Sequence, residues 1–138
     1  MAYDVICVTQ TLRAAARLLT RQYEEALRPT GLTASQYTIL HAITHAGAIG
    51  PSDLGQALAF EQTTATRLLA TLKAQGLVEF IASQDDARRR LARLTDLGKD
   101  RYSKALPLWE NAQKQTLDRV SGEEWQATRE ALKKISQE

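Results

Sequence analysis

The chain has 138 residues, which is enough for one compact core or for one domain with an added dimerisation element. Hydrophobic residues make up 43% and charged residues 25%, as in ordinary globular proteins, and no stretch approaches the ~20 apolar residues of a membrane span. The first ten residues do not resemble a secretory signal, and a single cysteine cannot form an internal disulfide. We therefore expect a cytoplasmic protein.

The net charge of +2 is unevenly distributed along the chain. Residues 62–93 contain six Lys and Arg against three Asp and Glu. Residues 1–61 carry four Lys and Arg against five Asp and Glu, and residues 94–138 carry eight basic and eight acidic residues. The positive excess lies in one block, where a polyanion such as nucleic acid is expected to bind.

Helical patterns dominate the first 58 residues. Residues 4–28 repeat apolar side chains at spacings of three and four, which predicts a helix that packs against another helix through Leu12, Ala16, Leu19, Tyr23 and Ala26. Pro29 and Gly31 are expected to end it. Thr33 and Gln36 form a predicted capping box for a second helix that ends near Gly47. A third, short helix through residue 58 is capped by Gly50 or Ser52.

A fourth helical pattern covers residues 62–75 after a turn at residues 59–61. Its outer face carries small, polar and basic side chains, as a helix entering the DNA major groove requires. Gln can bond adenine, Arg can bond guanine or a phosphate, and Thr can bond either or touch a thymine methyl. The predicted DNA-contacting residues of this helix are Gln62, Thr63, Thr64, Thr66 and Arg67. The alternative is a surface helix whose polar face contacts only water.

Two predicted strands, residues 77–82 and 90–94, flank a polar loop. Arginines follow one another at Arg88, Arg89 and Arg90, and such a hairpin tip suits the negative potential of the minor groove. Asp85 and Asp86 precede them, and we expect one internal salt bridge to shape the loop. The alternative is a solvated run of charges. The helix and the hairpin together favour a winged helix-turn-helix.

The C-terminal part is again helical. Thr95 is predicted to cap a long helix from Asp96, which Pro107 should bend. Ser121 and Glu124 form a predicted capping box for a last helix through about residue 136, whose apolar side comprises Trp125, Ala127 or Thr128, Leu132 and Ile135. No repeat or linker divides the chain. The predicted fold is a single, mainly α domain with a small β-hairpin wing (α+β).

Residues 12–43, 58–79 and 86–98 together resemble the MarR family of transcriptional regulators. The last segment has the family's wing pattern, Asp-x-Arg followed by a strand that ends in Leu-Thr-x-x-Gly. Before Asp86 it lacks the proline and the basic residue that many relatives carry. The resemblance implies a homodimer in which residues 1–30 and 97–138 form dimerisation helices and residues 33–96 form the DNA-binding lobe. It also implies a pseudo-palindromic duplex operator, and wing roles for Asp86 and Arg88, with Arg88 in the minor groove.

The resemblance further implies a repressor released by a small aromatic or phenolic effector. Such effectors bind between the dimerisation helices and the lobe, and the candidate pocket residues are Arg13, Arg17, Tyr37 and His41. An alternative is peroxide sensing through Cys7, since some relatives use a first-helix cysteine that tyrosines activate by hydrogen bonds across the dimer, here Tyr23 and Tyr37 as candidate partners. The apolar neighbours of Cys7 argue instead for a buried, inert thiol.

His41 and His45 have a spacing that can hold a metal, but no third ligand accompanies them, so we expect packing or pocket roles and neither metal nor cofactor. The sequence has no Gly-rich phosphate loop and no Gly-x-Ser-x-Gly nucleophile motif, and we predict that the protein is not an enzyme. A winged-helix module that binds protein is the remaining alternative. The arginine-bearing hairpin disfavours it.

Overall fold

Short polar side chains set where the helices of this chain begin. In the computed structural model, which describes residues 7–137, Thr33 accepts a hydrogen bond from the backbone N–H of Gln36, whose side chain accepts from the Thr33 N–H. Ser121 and Glu124 form the same reciprocal pair. Both predicted capping boxes are confirmed. Each satisfies two backbone donors that a helix start would otherwise leave free.

Six α-helices and one hairpin make up the described part of the chain, residues 7–137. In chain order they are α1 Val8–Leu27, α2 Ala34–Ala46, α3 Pro51–Leu58, α4 Gln62–Ala74, β1 Val78–Ala82, β2 Arg90–Leu94, α5 Asp96–Leu117 and α6 Gly122–Ile135, with a 3-10 turn at Arg28–Thr30. The mainly α fold with a two-stranded hairpin agrees with the prediction. None of the helices in this range is long and apolar enough to cross a membrane.

An isolated β-bridge that the sequence did not reveal ties the antiparallel hairpin to the segment between α2 and α3. Val78 pairs with Leu94 and Ala82 with Arg90 along the two main strands. On the other edge of β2, Ile49 and Ala92 exchange two backbone hydrogen bonds of 3.0 and 2.8 Å. The segment between α2 and α3 is thereby fixed to the hairpin. A single bridging residue is too short to produce an alternating pattern.

The hydrophobic core lies where α2, α3, α4, the hairpin and the first half of α5 meet. Its fully buried side chains include Ile39, Leu54, Leu69 and Ala105. Ala105 is on α5, so this helix belongs to the core of the lobe as well as to the C-terminal part of the chain. The core therefore extends beyond residue 96, where the predicted DNA-binding lobe ends.

The junction between β2 and α5 depends on a glycine. Gly98 lies so close to the backbone just before β1 that a Cβ at this position would be 2.0 Å from the Leu77 carbonyl oxygen. The Thr95 hydroxyl accepts from the Gly98 N–H at 3.1 Å and donates to the Gly76 carbonyl at 2.5 Å. This explains the Leu-Thr-x-x-Gly pattern physically: threonine caps the helix, and glycine permits the close approach.

The two ends of the chain leave apolar surface uncovered. Helix α6 has no buried residue, and Trp125 and Ile135 on it are 37% and 56% exposed. On α1, Val8 and Leu18 are 55% and 56% exposed. The predicted seam on α1 is covered only in its second half, where Tyr23 contacts α5.

Candidate nucleic-acid interface

The outer face of α4 presents most of the side chains that the sequence predicted to contact DNA. Gln62, Thr63, Thr66 and Arg67 are exposed, whereas Thr64 is half-buried. The opposite face is anchored in the core by Ala65, Leu69 and Leu72. The N-terminal half of α4 thus offers hydrogen-bonding groups to solvent on a helix that the core holds rigidly.

The turn between α3 and α4 fixes the angle at which α4 leaves the surface. Ala59 has φ of +56°, a left-handed conformation that costs a non-glycine residue free energy. The next residue, Phe60, donates its backbone N–H to the Gly55 carbonyl at 2.8 Å. A Cβ on Gly55 would lie 2.7 Å from the Phe60 carbonyl oxygen. Glycine at position 55 is therefore required for this turn as it stands.

The wing loop is shaped by one aspartate and by backbone bonds. Asp86 Oδ1 accepts from the Arg88 N–H at 3.0 Å, and the Asp86 carbonyl accepts from the Arg89 N–H at 2.9 Å. The Ser83 N–H donates to the Arg89 carbonyl at 2.9 Å and closes the loop. Asp86 thus organises the tip through an Asx turn and leaves the Arg88 side chain exposed.

The expected salt bridge between the loop aspartates and the loop arginines is wrong. Arg89 pairs instead with Asp53 on α3, with Nη2 and Oδ2 3.3 Å apart. Since this carboxylate lies 36 residues away, it was not visible in the local pattern. Of the three tip arginines, Arg88 and Arg90 have no carboxylate partner among residues 7–137. The Arg89 side chain thus links the wing to α3 through a salt bridge.

The aromatic residues predicted for an effector pocket form a stacked cluster between α2 and α5. The Tyr37 ring lies 5.8 Å from that of Tyr102 and 5.3 Å from that of Trp109, and His41 Nδ1 is 2.8 Å from the Tyr102 hydroxyl. Burial raises the pKa of Tyr37. Burial, and then the nearby His45, lower the pKa of His41. The Tyr37 hydroxyl is buried and has no hydrogen-bond partner among the described residues.

The cavity that Tyr102 lines has a different lining from the one predicted. It has a volume of about 860 Å³, opens to solvent, and is lined by the end of α2, the strand ends of the hairpin and the start of α5. Tyr102 links it to the aromatic cluster, but Arg13, Arg17, Tyr37 and His41 are absent from its lining. Arg13 and Arg17 are exposed on α1. The sequence missed this cavity because its walls come from three separate segments.

The expected burial of Cys7 is also wrong for the single chain, because the residue is exposed at the start of α1. Of the two tyrosines predicted to activate it from the second subunit, only Tyr23 has its hydroxyl hydrogen-bonded among the described residues. The Tyr23 hydroxyl donates to Gln113, and Tyr37 lies in the aromatic stack. Within residues 7–137, no group of three His, Cys, Asp or Glu side chains is placed to hold a metal ion.

Comparison with known proteins identifies relatives of this chain. A sequence model described as MarR family matches residues 30–89. The HTH-type transcriptional regulator YdgJ of Bacillus subtilis is 34% identical over 95 residues, which cover 69% of this chain and 58% of YdgJ. The matched region thus spans little more than half of that relative.

Two solved structures match almost the full length. The Mycobacterium tuberculosis regulator MosR, solved in complex with DNA, is 35% identical, covers 94% of this chain and 92% of its own, and has a TM-score of 0.82. Bordetella bronchiseptica BpsR, whose DNA binding is regulated by 6-hydroxynicotinic acid, is 25% identical with a TM-score of 0.85, covering 100% of this chain and 99% of its own.

Proposed function

This chain belongs to the MarR family of DNA-binding transcriptional regulators, and from that premise we propose that it is a cytoplasmic homodimeric repressor. In this proposal it occupies a pseudo-palindromic operator and leaves it when a small aromatic or phenolic effector binds. Helix α4 reads the major groove through Thr63, Thr66 and Arg67, and the wing contacts the flanking minor groove through Arg88.

One observation carries the proposal: α4 and the wing project from a single packed lobe. The exposed face of α4 is small and polar, and the wing tip offers Arg88 and Arg90 without carboxylate partners among residues 7–137. The Ile49–Ala92 bonds and the Arg89–Asp53 pair hold the wing against the rest of the lobe. A fixed geometry allows a helix and a wing to fit adjacent grooves together.

Dimerisation is supported by the apolar surface at the two chain ends. Trp125, Ile135 and Val8 are each more than a third exposed, and α6 buries none of its residues within the chain. A second copy would cover this surface, and two lobes would then face half-sites of an operator. Residues 1–30 and 97–138 supply these helices in the proposal, and residues 33–96 supply most of the lobe.

Effector control is supported by the open cavity beside Tyr102. A ligand there would touch the end of α2, the hairpin and the start of α5 together. It would lower operator affinity only through its differential affinity for two lobe orientations. BpsR is a relative whose DNA binding a small aromatic acid regulates.

A gel-shift titration at two salt concentrations tests the DNA-binding part of the proposal. The probe is a duplex selected from the source genome by the wild-type protein. Arg88→Ala should weaken binding and flatten the dependence of log affinity on log salt by about one unit per subunit, because a guanidinium next to DNA displaces a counterion. Thr63→Ala should mainly relax sequence preference. Lys104→Ala, which removes an exposed cation from α5, is the matched control.

Equal affinity and an equal salt slope for wild type, Arg88→Ala and Lys104→Ala would overturn the wing assignment. Sedimentation analysis tests the dimer separately. Trp125→Glu should shift the protein to a monomer and weaken operator binding, because a half-site contact is lost with the partner. A monomeric wild-type protein would refute the homodimer.

A further inference from the structure

The threonine hydroxyl groups on α4 are not equivalent, and the difference bears on which bases the helix can read. Thr66 donates its Oγ1 proton to the backbone carbonyl of Gln62 at a distance of 2.9 Å. The Thr63 hydroxyl has no such partner within residues 7–137, although both side chains are exposed. Thr63 therefore keeps a hydroxyl proton for a partner outside the chain, and Thr66 does not.

This bond limits what Thr66 can offer to DNA. A hydroxyl group has one proton, so Thr66 cannot donate to a base while it keeps the bond to the Gln62 carbonyl. The major-groove acceptors, guanine N7 and O6, adenine N7 and thymine O4, all require a donor. The side chain of Thr66 still exposes its methyl group. Ala70, also exposed, lies four residues further on the same side of the helix and adds a second methyl.

We infer that Thr66 determines specificity by packing its methyl group against the C5-methyl of one thymine in each half-site, while Thr63 makes the polar contact. This inference rests on the proposed function, because it requires α4 to lie in the major groove. Threonine methyl groups suit apolar contact with thymine. Burying one methyl group corresponds to about a fourfold change in affinity per half-site.

Deoxyuridine substitution isolates this contact, since deoxyuridine differs from thymidine only by the missing C5-methyl. The probe is a duplex of about 30 base pairs, long enough for two half-sites, that the wild-type protein selects from a random pool. Each symmetry-related pair of thymines is replaced in turn. For the wild type, one pair should give about a fifteenfold loss of affinity when both members are replaced.

Two variants separate the methyl group from the hydroxyl. Thr66→Ser keeps a hydroxyl that can bond to the Gln62 carbonyl but loses the methyl, so the thymine-to-uracil ratio at that pair should fall to about one. Thr66→Val keeps a methyl and loses the hydroxyl, so the ratio should persist. Thr71→Ser is the matched control, because Thr71 makes the same kind of bond to the Arg67 carbonyl at 3.2 Å. It should leave the ratio unchanged.

The inference is overturned if the wild type shows no sensitive thymine pair, or if Thr66→Ser retains the ratio. It is also overturned if Thr66→Val abolishes the ratio, because the methyl group that this variant keeps would then not account for the thymine contact. Failure of the proposed function gives a different result: the wild type selects no sequence and binds all duplexes alike. Thermal unfolding of each variant confirms that it is folded before its ratio is measured.

Discussion

Substitution of Gly98 by alanine should strongly destabilise the protein, although alanine is the better helix former. The added Cβ would lie 2.0 Å from the Leu77 carbonyl oxygen, so α5 and the backbone just before β1 must move apart by about 1 Å or more. Both groups are backbone, and neither can rotate away. The movement also strains the bonds that Thr95 makes to Gly98 and Gly76.

The size of the effect follows from these contacts. Overpacking costs about 1–3 kcal/mol, and each weakened hydrogen bond costs about 1 kcal/mol. The higher helix propensity of alanine relative to glycine offsets roughly 0.5–1 kcal/mol of this loss. The free energy of unfolding should therefore fall by about 3 kcal/mol, which lowers the melting temperature by about 10 °C for a chain of this size.

Urea unfolding followed by circular dichroism measures this loss, with the protein concentration held constant because the proposed dimerisation would contribute to stability. Gly122→Ala is the matched control. Gly122 opens α6, and a Cβ there would meet no atom within 4 Å. Its stability should be unchanged or slightly higher. A loss below about 1 kcal/mol for Gly98→Ala, or similar behaviour of the two variants, would refute the steric argument.

Three further predictions concern the polar groups of the lobe. Tyr37→Phe should leave the free energy of unfolding in urea unchanged or raise it by about 1 kcal/mol, since the buried Tyr37 hydroxyl has no partner within residues 7–137. Tyr102→Phe should lower it by about 1 kcal/mol, because the hydrogen bond to His41 is lost. The opposite order of the two variants would contradict this prediction. The depressed pKa of His41 means that the unfolded chain binds a proton more readily, so stability should fall as pH drops below the usual 6.5. His41→Gln should reduce this fall between about pH 7.5 and pH 5.5, and equal falls would count against it. Asp53→Asn should free the Arg89 side chain and make non-specific DNA binding more salt-dependent in gel shifts. The free energy of unfolding should change by less than about 1 kcal/mol, because the ion pair is exposed. An unchanged salt slope would argue against the assignment of Arg89 to this salt bridge.

Local signals predicted local structure well. Thr33 and Ser121 cap helices through contacts with residues three positions away, so their spacing alone was sufficient. Contacts between residues far apart in the chain gave no comparable signal in the local sequence. Nothing near Arg89 indicated that its partner would be Asp53 rather than a loop aspartate. Apolar neighbours suggested that Cys7 is buried, but the residue is exposed immediately before α1.

The same long-range contacts constrain how an effector could act. The backbone bonds between Ile49 and Ala92 and the close approach of Gly98 to Leu77 tie the hairpin to α2, α3 and α5. Since Ala105 is fully buried in the shared core, the first half of α5 must move with the lobe. A change in lobe spacing therefore has to arise beyond this point on α5 or at α1. The cavity beside Tyr102 is lined only by residues of this one body, the lobe with the first half of α5. In the proposed effector control, a ligand there can therefore reorient the lobe only if it also contacts α1 or the second half of α5, and α4 and the wing would then leave their grooves together.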